Sequence, residues 1–389
     1  MQHLSLGARP AVQALRSSKI REVANAGMGK DDVVAFWFGE PDEVTPEFIR
    51  QAAIDSLDAG ETFYTHNLGI PALREAIARY LTRLHRPISV ERVAVTNSGM
   101  SALMLATQAL VGPGDRVVIV TPVWPNLVEI PKILGADAAT FALDFSTAGW
   151  TLDLDRLLRE LTPRTRAVYI NSPNNPTGWT IDEQALRAVL EHCRRHGIWI
   201  LADDAYERLY FGNGSGVAPS FLDIADPQDR LVSTNTFSKS WLMTGWRLGW
   251  VVMPEPLTAS ISTLIEYNTS CAPAFVQRAG VAAIERGEQV PRDFNARLRH
   301  ARDFLFARLR ELPGVQAPAP EGAMYAFFRV SGAADSLGFC KRLVCEAGLG
   351  LAPGIAFGAE GQGFVRWCFA ASDERLEEGV ARLRRALHR

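Results

Sequence analysis

Lys239 is the strongest candidate for chemistry in this sequence, because it is the one lysine in a segment of hydroxyl, apolar and glycine residues. The segment, STNTFSKSWLMTGWRLGW at residues 233–250, places Arg247 eight positions after the lysine. A lysine in a small-molecule pocket either pairs with phosphate or acts as a nucleophilic amine. The phosphate-loop pattern G-x-x-x-x-G-K-[ST] is absent, and apolar neighbours argue against a solvated surface lysine, so a nucleophile is favoured. Thr236 and Ser238 could donate to a phosphate that Arg247 also binds.

These residues follow one of several short β-branched segments that alternate with helical patterns between about residues 90 and 255. This alternation predicts right-handed βαβ units and a mostly parallel sheet. Ligands bind outside the carboxyl ends of parallel strands, so the residues that follow each strand are the first candidates for function. The predicted strands are residues 92–96, 116–120, 166–170, 198–202, 230–234 and 247–252.

One helix between these strands can be predicted together with its ends. Thr180 and Glu183 fit the S/T-x-x-E capping box, and an apolar stripe follows them. Gly197 lies where a left-handed C-terminal residue belongs. We therefore expect a helix from about residue 181 to about residue 195.

The ends of the first two predicted strands suit an anion and a flat ring. Ser98, Gly99 and Met100 open a helix, so their backbone N–H groups would face an anion, although an ordinary N-cap serine explains the same pattern. Trp124 lies between two prolines, where its indole could stack on a heterocycle. The alternative for a lone tryptophan is a place in the core.

Amide, carboxyl and hydroxyl groups follow the next two strands. In NSPNNPTG, Asn174 and Asn175 precede a proline, which makes the loop rigid enough to aim an amide. Asp203 and Asp204 stand at the end of a buried strand, where a carboxylate is costly unless it meets a cation. Tyr206 adds a hydroxyl group nearby. The alternatives are a structural loop and, for one of the two aspartates, a helix N-cap.

Composition narrows the class of protein. The chain has 389 residues, enough for two or three domains, and its 41 basic and 43 acidic residues form no long run of like charge. Small partners are therefore favoured over nucleic acid or a membrane surface. Five cysteines with no metal-site spacing predict no metal and suit a reducing cytoplasm. No signal peptide or long apolar run is present, so we expect a soluble, cytoplasmic protein.

Together, the strand-end residues describe one ligand: a phosphate, a ring with a basic nitrogen, a phenolic oxygen and an aldehyde, which is pyridoxal 5'-phosphate (PLP). The motifs SPNNPTG, DDAYERL and SKSWLMTGWRLGW, with the arginine of FVRWCFA, come in the order and spacing of a known family. The sequence resembles the class I/II aminotransferases of PLP fold type I, the aspartate aminotransferase superfamily. The resemblance runs from GEPD at residues 39–42 to FVRWCFA at residues 364–370.

The fold class expected from pattern and resemblance is α/β, with a large domain whose mostly parallel sheet is sandwiched by helices, and a smaller α+β domain. We assign residues 51–287 to the large PLP-binding domain and residues 288–389 to the small domain, which starts with a long connector helix. Residues 1–50 carry too little apolar material for a domain and are expected to pack on the small domain.

The resemblance implies roles for the residues around the cofactor ring. Lys239 corresponds to the lysine that binds the cofactor aldehyde and carries the proton from the substrate Cα. Asp203 corresponds to the carboxylate that keeps the ring nitrogen protonated, so the ring accepts electrons. Asn175 and Tyr206 correspond to donors to the phenolic oxygen, and Trp124 to the aromatic residue stacked on the ring.

The resemblance also implies the phosphate and substrate contacts. Tyr64 resembles a tyrosine that reaches the phosphate in the neighbouring subunit, which implies a homodimer with shared sites. Arg366 resembles the arginine that binds the substrate α-carboxylate, with Gly39 and Asn175 beside it. The residues that match the phosphate-binding group are Ser98, Gly99, Met100, Thr236, Ser238 and Arg247.

The function that follows is ping-pong transamination between an L-amino acid and a 2-oxo acid, in the context of amino-acid biosynthesis. A PLP-dependent C–S β-lyase is the alternative on the same scaffold. A PLP-sensing regulator is disfavoured because no basic recognition helix precedes GEPD, and a nicotinamide enzyme because no strand leads into G-x-G-x-x-G. Near the substrate side chain, Ser18, Lys19 and Ile20 are candidates; Lys19 could bind a distal carboxylate or be a solvated lysine at a helix start.

Overall fold

The fold is built around a seven-stranded sheet, seen in a computed structural model that describes residues 7–212 and 214–388. The strands are β1 Val34–Ala35, β2 Val93–Thr96, β3 Arg116–Thr121, β4 Asp137–Ala142, β5 Asp144–Ser146, β6 Gly149–Thr151, β7 Thr165–Asn171, β8 Trp199–Asp203, β9 Leu231–Thr236, β10 Gly249–Val252, β11 Val315–Gln316, β12 Tyr325–Val330, β13 Leu349–Gly350, β14 Ala352–Pro353 and β15 Phe364–Cys368.

Helices cover both faces of this sheet and form much of the rest of the chain. Within the described residues, none of them is both long enough and apolar enough to cross a membrane. The helices are α1 Pro10–Gln13, α2 Lys19–Gly27, α3 Glu47–Asp58, α4 Pro71–Leu84, α5 Gly99–Leu110, α6 Asn126–Ile133, α7 Leu154–Glu160, α8 Glu183–His196, α9 Phe237–Ser240, α10 Thr258–Asn268, α11 Ala274–Arg286, α12 Gln289–Leu309, α13 Ser336–Arg342 and α14 Asp373–Leu387.

The large sheet has the strand order β2-β10-β9-β8-β7-β3-β4. Strand β10 runs antiparallel to both of its neighbours, and every other neighbouring pair is parallel. The expected mostly parallel sheet is therefore confirmed, and all six predicted strands lie within two residues of their observed ends. Strand β4 was missed, because it is a partly exposed edge strand with three alanines and little β-branched material.

A second, antiparallel sheet has the order β11-β12-β15-β14 and carries site residues that are distant in sequence. Strands β12 and β15 pair so that Phe327 lies opposite Arg366, while Tyr325 lies opposite Cys368. The N-terminal segment joins this part of the molecule, since Val34 of β1 pairs with Leu349 of β13. The packing of residues 1–50 on the small domain, like the division into domains, stays a prediction.

The start of helix α8 differs from the predicted capping box. Its N-cap is Asp182, whose Oδ1 accepts a hydrogen bond from the Ala185 N–H at 2.8 Å. The buried Thr180 hydroxyl has no partner within the described residues, so the predicted capping box is wrong. The spacing of Thr180 and Glu183 met the pattern, but the aspartate next to the helix is the better placed acceptor. Gly197 closes the helix in the predicted left-handed conformation, with φ of 67°.

We predict that Asp182→Ala lowers the free energy of unfolding by about 1 kcal/mol, because it leaves a helix N–H without its acceptor. Thr180→Val should be neutral or slightly stabilising, since the hydroxyl that it removes is buried without a partner. Urea denaturation followed by circular dichroism measures both variants. An equal loss in Thr180→Val would show that the threonine caps the helix after all.

Candidate active site

A cavity of about 460 Å³ opens where the carboxyl ends of β7, β8 and β9 meet the N-terminal segment and the second sheet. All of the predicted site residues line it except Ser98 and Tyr64. The predicted residues that line the cavity are Gly39, Gly99, Met100, Trp124, Asn175, Asp203, Tyr206, Thr236, Ser238, Lys239, Arg247 and Arg366.

Lys239 lies on the short helix α9, directly after β9, and its side chain enters the cavity. Its Nζ donates a hydrogen bond to the Gly39 carbonyl at 2.5 Å. Burial, reinforced by the positive charges of Arg366 and Arg247, lowers the pKa of Lys239 from 10.5 to about 8. A lysine with this pKa is neutral, and hence nucleophilic, far more often at neutral pH than a surface lysine.

Gly39 is required at its position by a close approach. A Cβ built on Gly39 would clash with the hydroxyl of Tyr325, whose ring lies against this part of the backbone. Any larger residue would displace Tyr325 or the Gly39 carbonyl that holds Lys239. The glycine therefore brings the N-terminal segment into contact with both site residues.

Hydroxyl and backbone N–H groups form a polar region beside Lys239. Thr236 ends β9, where its Oγ1 accepts from the Ser238 N–H at 3.1 Å and donates to Ser238 Oγ at 2.8 Å. Helix α5 presents its N-terminus at Gly99 and Met100, which line the cavity. Arg247 adds a guanidinium group that donates to the Thr244 carbonyl at 2.6 Å and forms no ion pair within the described chain. These groups suit a doubly charged anion.

Ser98 contributes to this region through its backbone conformation and as a helix N-cap. It is the N-cap of α5, and its Oγ accepts from the Ser101 N–H at 3.1 Å. Its φ of 136° is unusual for a residue with a side chain and turns the chain sharply into the helix. Ser98 is buried and does not line the cavity. The N-cap alternative therefore describes its side chain, while the helix N-terminus behind it faces the cavity.

Asp203 is the buried carboxylate of the cavity, and Asp204 turns away from it. Asp203 ends β8, accepts from the Ala205 N–H at 3.3 Å, and forms no ion pair within the described residues. Burial raises the pKa of Asp203 to about 7. Asp204 instead accepts from Ser233 Oγ at 2.6 Å and does not line the cavity. Asp203 is thus the carboxylate that a cationic ligand atom would meet.

A hydrogen-bond network joins the two sheets at the cavity wall. Tyr206 OH lies 2.7 Å from Tyr325 OH and 3.5 Å from Asn175 Nδ2. Asn175 Oδ1 in turn accepts from Arg366 Nη1 at 2.9 Å. Asn171 aligns the network from below, because its Oδ1 accepts from the Asn175 N–H at 2.7 Å. One side of the cavity therefore presents amide, phenol and guanidinium donors together.

Arg366 is a buried guanidinium group, only 2% exposed. Besides Asn175, it donates to the Trp37 carbonyl at 2.5 Å, and its Nε has no partner among the residues that the structure describes. Aromatic rings surround it: its Cζ lies 4.4 Å from the Tyr325 ring centroid and 4.9 Å from that of Phe357. No carboxylate within the described residues pairs with this charge. A carboxylate on a ligand is the group that would balance it.

Two residues of the site were not predicted, because no local sequence pattern marks them. Tyr325 reaches Tyr206 across 119 positions of sequence, and only the pairing of β12 with β15 brings it there. Arg21 lines the cavity, whereas the candidate Lys19 pairs with Glu22 at 2.7 Å and does not. Ile20, also a candidate, does line the cavity. Asn171 could have been found, since it directly precedes SPNNPTG at the end of a strand.

Tyr64 is the remaining predicted site residue, and it lies outside the cavity of its own chain. Its side chain is 88% exposed. The sequence expectation assigns it to the cavity of a neighbouring subunit, and this stays a prediction.

The residues present fit pyridoxal phosphate. Asp203 is a buried carboxylate without a cation, which suits a protonated ring nitrogen, and Trp124 offers an indole face at the cavity wall. Thr236, Ser238, Arg247 and the start of α5 suit the phosphate, and Lys239 suits the aldehyde. The fold and this site define a PLP-dependent enzyme of fold type I.

The comparisons with known proteins identify the family. Residues 31–383 match the family model for aminotransferase class I and II. The sequence is 35% identical to a probable aspartate/prephenate aminotransferase of Aquifex aeolicus, over 97% of this chain and 96% of that protein. It is 34% identical to an aspartate aminotransferase of Pyrococcus horikoshii, over 97% of this chain and 96% of that one. The aspartate aminotransferase of Thermus thermophilus, solved with maleate, superposes with a TM-score of 0.89 at 31% identity, covering 97% of this chain and 99% of that one.

The chain belongs to the class I and II aminotransferase family. It is a PLP-dependent aminotransferase, a transferase that moves an amino group between an amino acid and a 2-oxo acid. The fold type expected from the sequence is confirmed. Nothing in the comparisons favours the β-lyase alternative.

We predict that the apoenzyme captures PLP at a rate that rises with pH and levels off above about pH 8, because only the neutral Lys239 amine attacks the aldehyde. Stopped-flow absorbance of the bound cofactor between pH 6 and 11 (about the range over which a lysine amine titrates) gives the midpoint. The free amine of a lysine derivative serves as the reference. A midpoint near that reference would show that the cavity does not lower the pKa of Lys239.

Proposed function

We propose that Lys239 is the residue that holds the cofactor and moves the proton at the substrate Cα. The observation that supports this proposal is the position of its amine, which is buried in the cavity beside the residues that suit the phosphate, the ring and the α-carboxylate. The pKa of the amine is also lowered. When bound, the cofactor supplies an electron-accepting ring that stabilises negative charge at the Cα. Lys239 then takes the Cα proton and returns it at the end of each half-reaction.

The residues around Lys239 have the other roles in the proposed reaction. Asp203 keeps a proton on the ring nitrogen, because a buried carboxylate without another cation favours a charged partner. Asn175 and Tyr206 donate to the phenolic oxygen, and the hydrogen bond between Tyr206 and Tyr325 fixes the direction of the phenol. Trp124, which lines the cavity, would cover one face of the ring and exclude water from it.

Arg366 binds the α-carboxylate of both the amino acid and the 2-oxo acid. Its guanidinium is held by Asn175 and by the Trp37 carbonyl, so its free edge has a fixed direction. A bidentate pair with a carboxylate places the Cα at a fixed distance from Lys239. Because both substrates carry this carboxylate, a single site serves both halves of a ping-pong reaction.

We predict that Lys239→Ala abolishes the absorbance of covalently bound cofactor and lowers transamination at least about a thousandfold, since proton transfer loses its carrier. Lys19→Ala is the matched control, because Lys19 pairs with Glu22 outside the cavity. A donor panel that includes aspartate, with 2-oxoglutarate and pyruvate as acceptors, measures turnover. Retained transamination in Lys239→Ala would contradict the proposed role.

We also propose that the active form is a homodimer in which each cavity uses Tyr64 of the partner chain. Phe63, Tyr64 and Tyr267 are 84%, 88% and 84% exposed. The segments that carry them are neighbours, because Asn67 Nδ2 donates to Glu266 at 3.3 Å. A cluster of exposed aromatic residues supports a protein interface. Tyr64 would then donate its hydroxyl to the phosphate held in the partner's cavity.

A complementation experiment tests the shared site. We expect Tyr64→Ala and Lys239→Ala each to be poorly active alone, whereas co-expression of both chains with different tags yields mixed dimers with one intact site. That site has Lys239 from one chain and Tyr64 from the other. Activity of the doubly purified mixed dimer, against each parent, is the measurement. No gain of activity in the mixed dimer would rule out the shared arrangement.

We propose further that the enzyme works in the cytoplasm, in amino-acid biosynthesis. All five cysteines are free thiols, which supports a reducing compartment. Cell fractionation with an antibody against the chain tests the compartment.

A further inference from the structure

Tyr325 is a tyrosine of the cavity wall whose hydroxyl group has one hydrogen-bond partner within the described residues. It opens strand β12, is 1% exposed and lines the cavity. Its hydroxyl oxygen lies 2.7 Å from that of Tyr206, and this distance alone leaves open which of the two donates. The packing of Gly39 against the hydroxyl, and of Arg366 against the ring, holds the phenol in place.

Both phenols keep their protons, because burial raises the pKa of each. Arg366 opposes this rise at both rings. The other charged or titratable groups that act on the pair are Lys239, Asp203, Glu40 and Cys368. The pair therefore holds two protons that need acceptors and two oxygens that can accept. A buried hydroxyl proton without an acceptor is costly, so the arrangement that satisfies both protons is favoured.

Only one direction of this hydrogen bond gives each proton an acceptor. If Tyr206 donated to Tyr325, the Tyr325 proton would have no acceptor among the described residues, and an oxygen bound in the cavity would lose the Tyr206 donor. If Tyr325 donates, its proton goes to the Tyr206 oxygen, and the Tyr206 proton is free for a ligand. Asn175 Nδ2 is 3.5 Å from the Tyr206 oxygen, at the limit of a hydrogen bond, so the Tyr325 hydroxyl is the closer donor.

The surroundings of Tyr325 favour this direction as well. The Cζ of Arg366 lies 4.4 Å from the centroid of the Tyr325 ring, and its positive charge opposes the rise in pKa that burial causes. A nearby cation favours release of the phenol proton, and hence its donation to an acceptor. In a wall with little water, the hydrogen bonds of a chain also polarise one another. A proton donated to the Tyr206 oxygen therefore makes the Tyr206 O–H group a stronger donor in turn.

We propose that the Tyr325 hydroxyl donates to Tyr206 and so strengthens the hydrogen bond that Tyr206 gives to the phenolic oxygen of the cofactor. This assignment rests on the proposed function, in which Tyr206 donates to that oxygen. Tyr325 is a positioning residue, because it acts through Tyr206 and takes no part in the proton transfer at Lys239. The second sheet thereby acts on the cofactor ring through one hydroxyl group.

The test is a pH titration of the holoenzyme, followed by the absorbance of the bound cofactor. Its midpoint is the pKa of the nitrogen that joins Lys239 to the cofactor. A stronger hydrogen bond to the phenolic oxygen draws negative charge away from this nitrogen and lowers that pKa. In Tyr325→Phe, we expect the midpoint to rise by roughly 0.2–0.5 pH units, since one bond in a chain strengthens its neighbour by ~10–30%. Tyr206→Phe, which removes the whole hydrogen bond, should raise it by roughly 1–2 pH units.

Two further variants separate this effect from a general loss of structure. Tyr169→Phe is the matched control, because it removes a buried tyrosine hydroxyl that donates to Thr107 at 3.0 Å, outside the cavity. We expect its midpoint to equal that of the wild type. When Tyr325→Phe is added to Tyr206→Phe, the midpoint should equal that of Tyr206→Phe alone, because the hydroxyl through which Tyr325 acts is already absent.

The sign of the shift decides the direction of the hydrogen bond. A midpoint that falls in Tyr325→Phe would show that Tyr206 donates to Tyr325 in the holoenzyme, and an unchanged midpoint would show that Tyr325 does not act on the cofactor. Either result overturns the role of Tyr325, and so does a shift that persists in the double variant. A wild-type chain that binds no absorbing cofactor at Lys239 would instead count against the proposed function, so the two failures are distinguishable.

Discussion

The buried guanidinium of Arg366 is the constraint on which the arrangement of the site depends. Leaving a buried charge without a partner costs ~3–5 kcal/mol. The chain offsets this cost with the Trp37 carbonyl, the Asn175 amide and the faces of Tyr325 and Phe357. These groups come from four separate parts of the sequence, so the arginine joins the N-terminal segment to both sheets. The incomplete offset supports the proposal that Arg366 binds a substrate carboxylate.

Asp203 is also a buried charged group, but its charge is negative. Within the described residues its carboxylate is buried without an ion-pair partner, and burial raises its pKa to about 7. An isolated anion and an isolated cation are held apart in one cavity by the network through Asn175, Tyr206 and Tyr325. A ligand with a carboxylate at one end and a protonated ring at the other relieves both. Among the described residues, the cavity thus holds one buried anion and one buried cation, neither of which has an ion-pair partner.

Sequence patterns predicted the residues at strand ends well, because a strand end and its loop are contiguous in sequence. Lys239, Asn175 and Trp124 were found in this way. Strand patterning left the choice between Asp203 and Asp204 open, since adjacent strand residues point to opposite faces, and the family resemblance selected Asp203. The structure places Asp203 on the cavity wall and Asp204 away from it. Tyr325 and Arg21 were missed because their places depend on sheet pairing and on the direction in which a helix turns. The Thr180 capping box failed because the motif records spacing and ignores a neighbouring aspartate that competes for the same N–H groups.

The charges of the cavity also couple ligand binding to the proton affinity of Lys239. Burial lowers the pKa of this lysine, and the positive charges of Arg366 and Arg247 lower it further, against opposing effects of Cys368 and Glu40. A carboxylate bound to Arg366, or a phosphate bound to Arg247, cancels part of that repulsion, so the pKa of Lys239 rises when these anions are in place. In the free chain, a pKa of about 8 leaves enough neutral amine to attack an aldehyde. In the proposed reaction, both bound anions would make the amine the stronger base that removal of a Cα proton requires. One lysine can therefore serve as nucleophile and as base because the ligand itself changes the field around it.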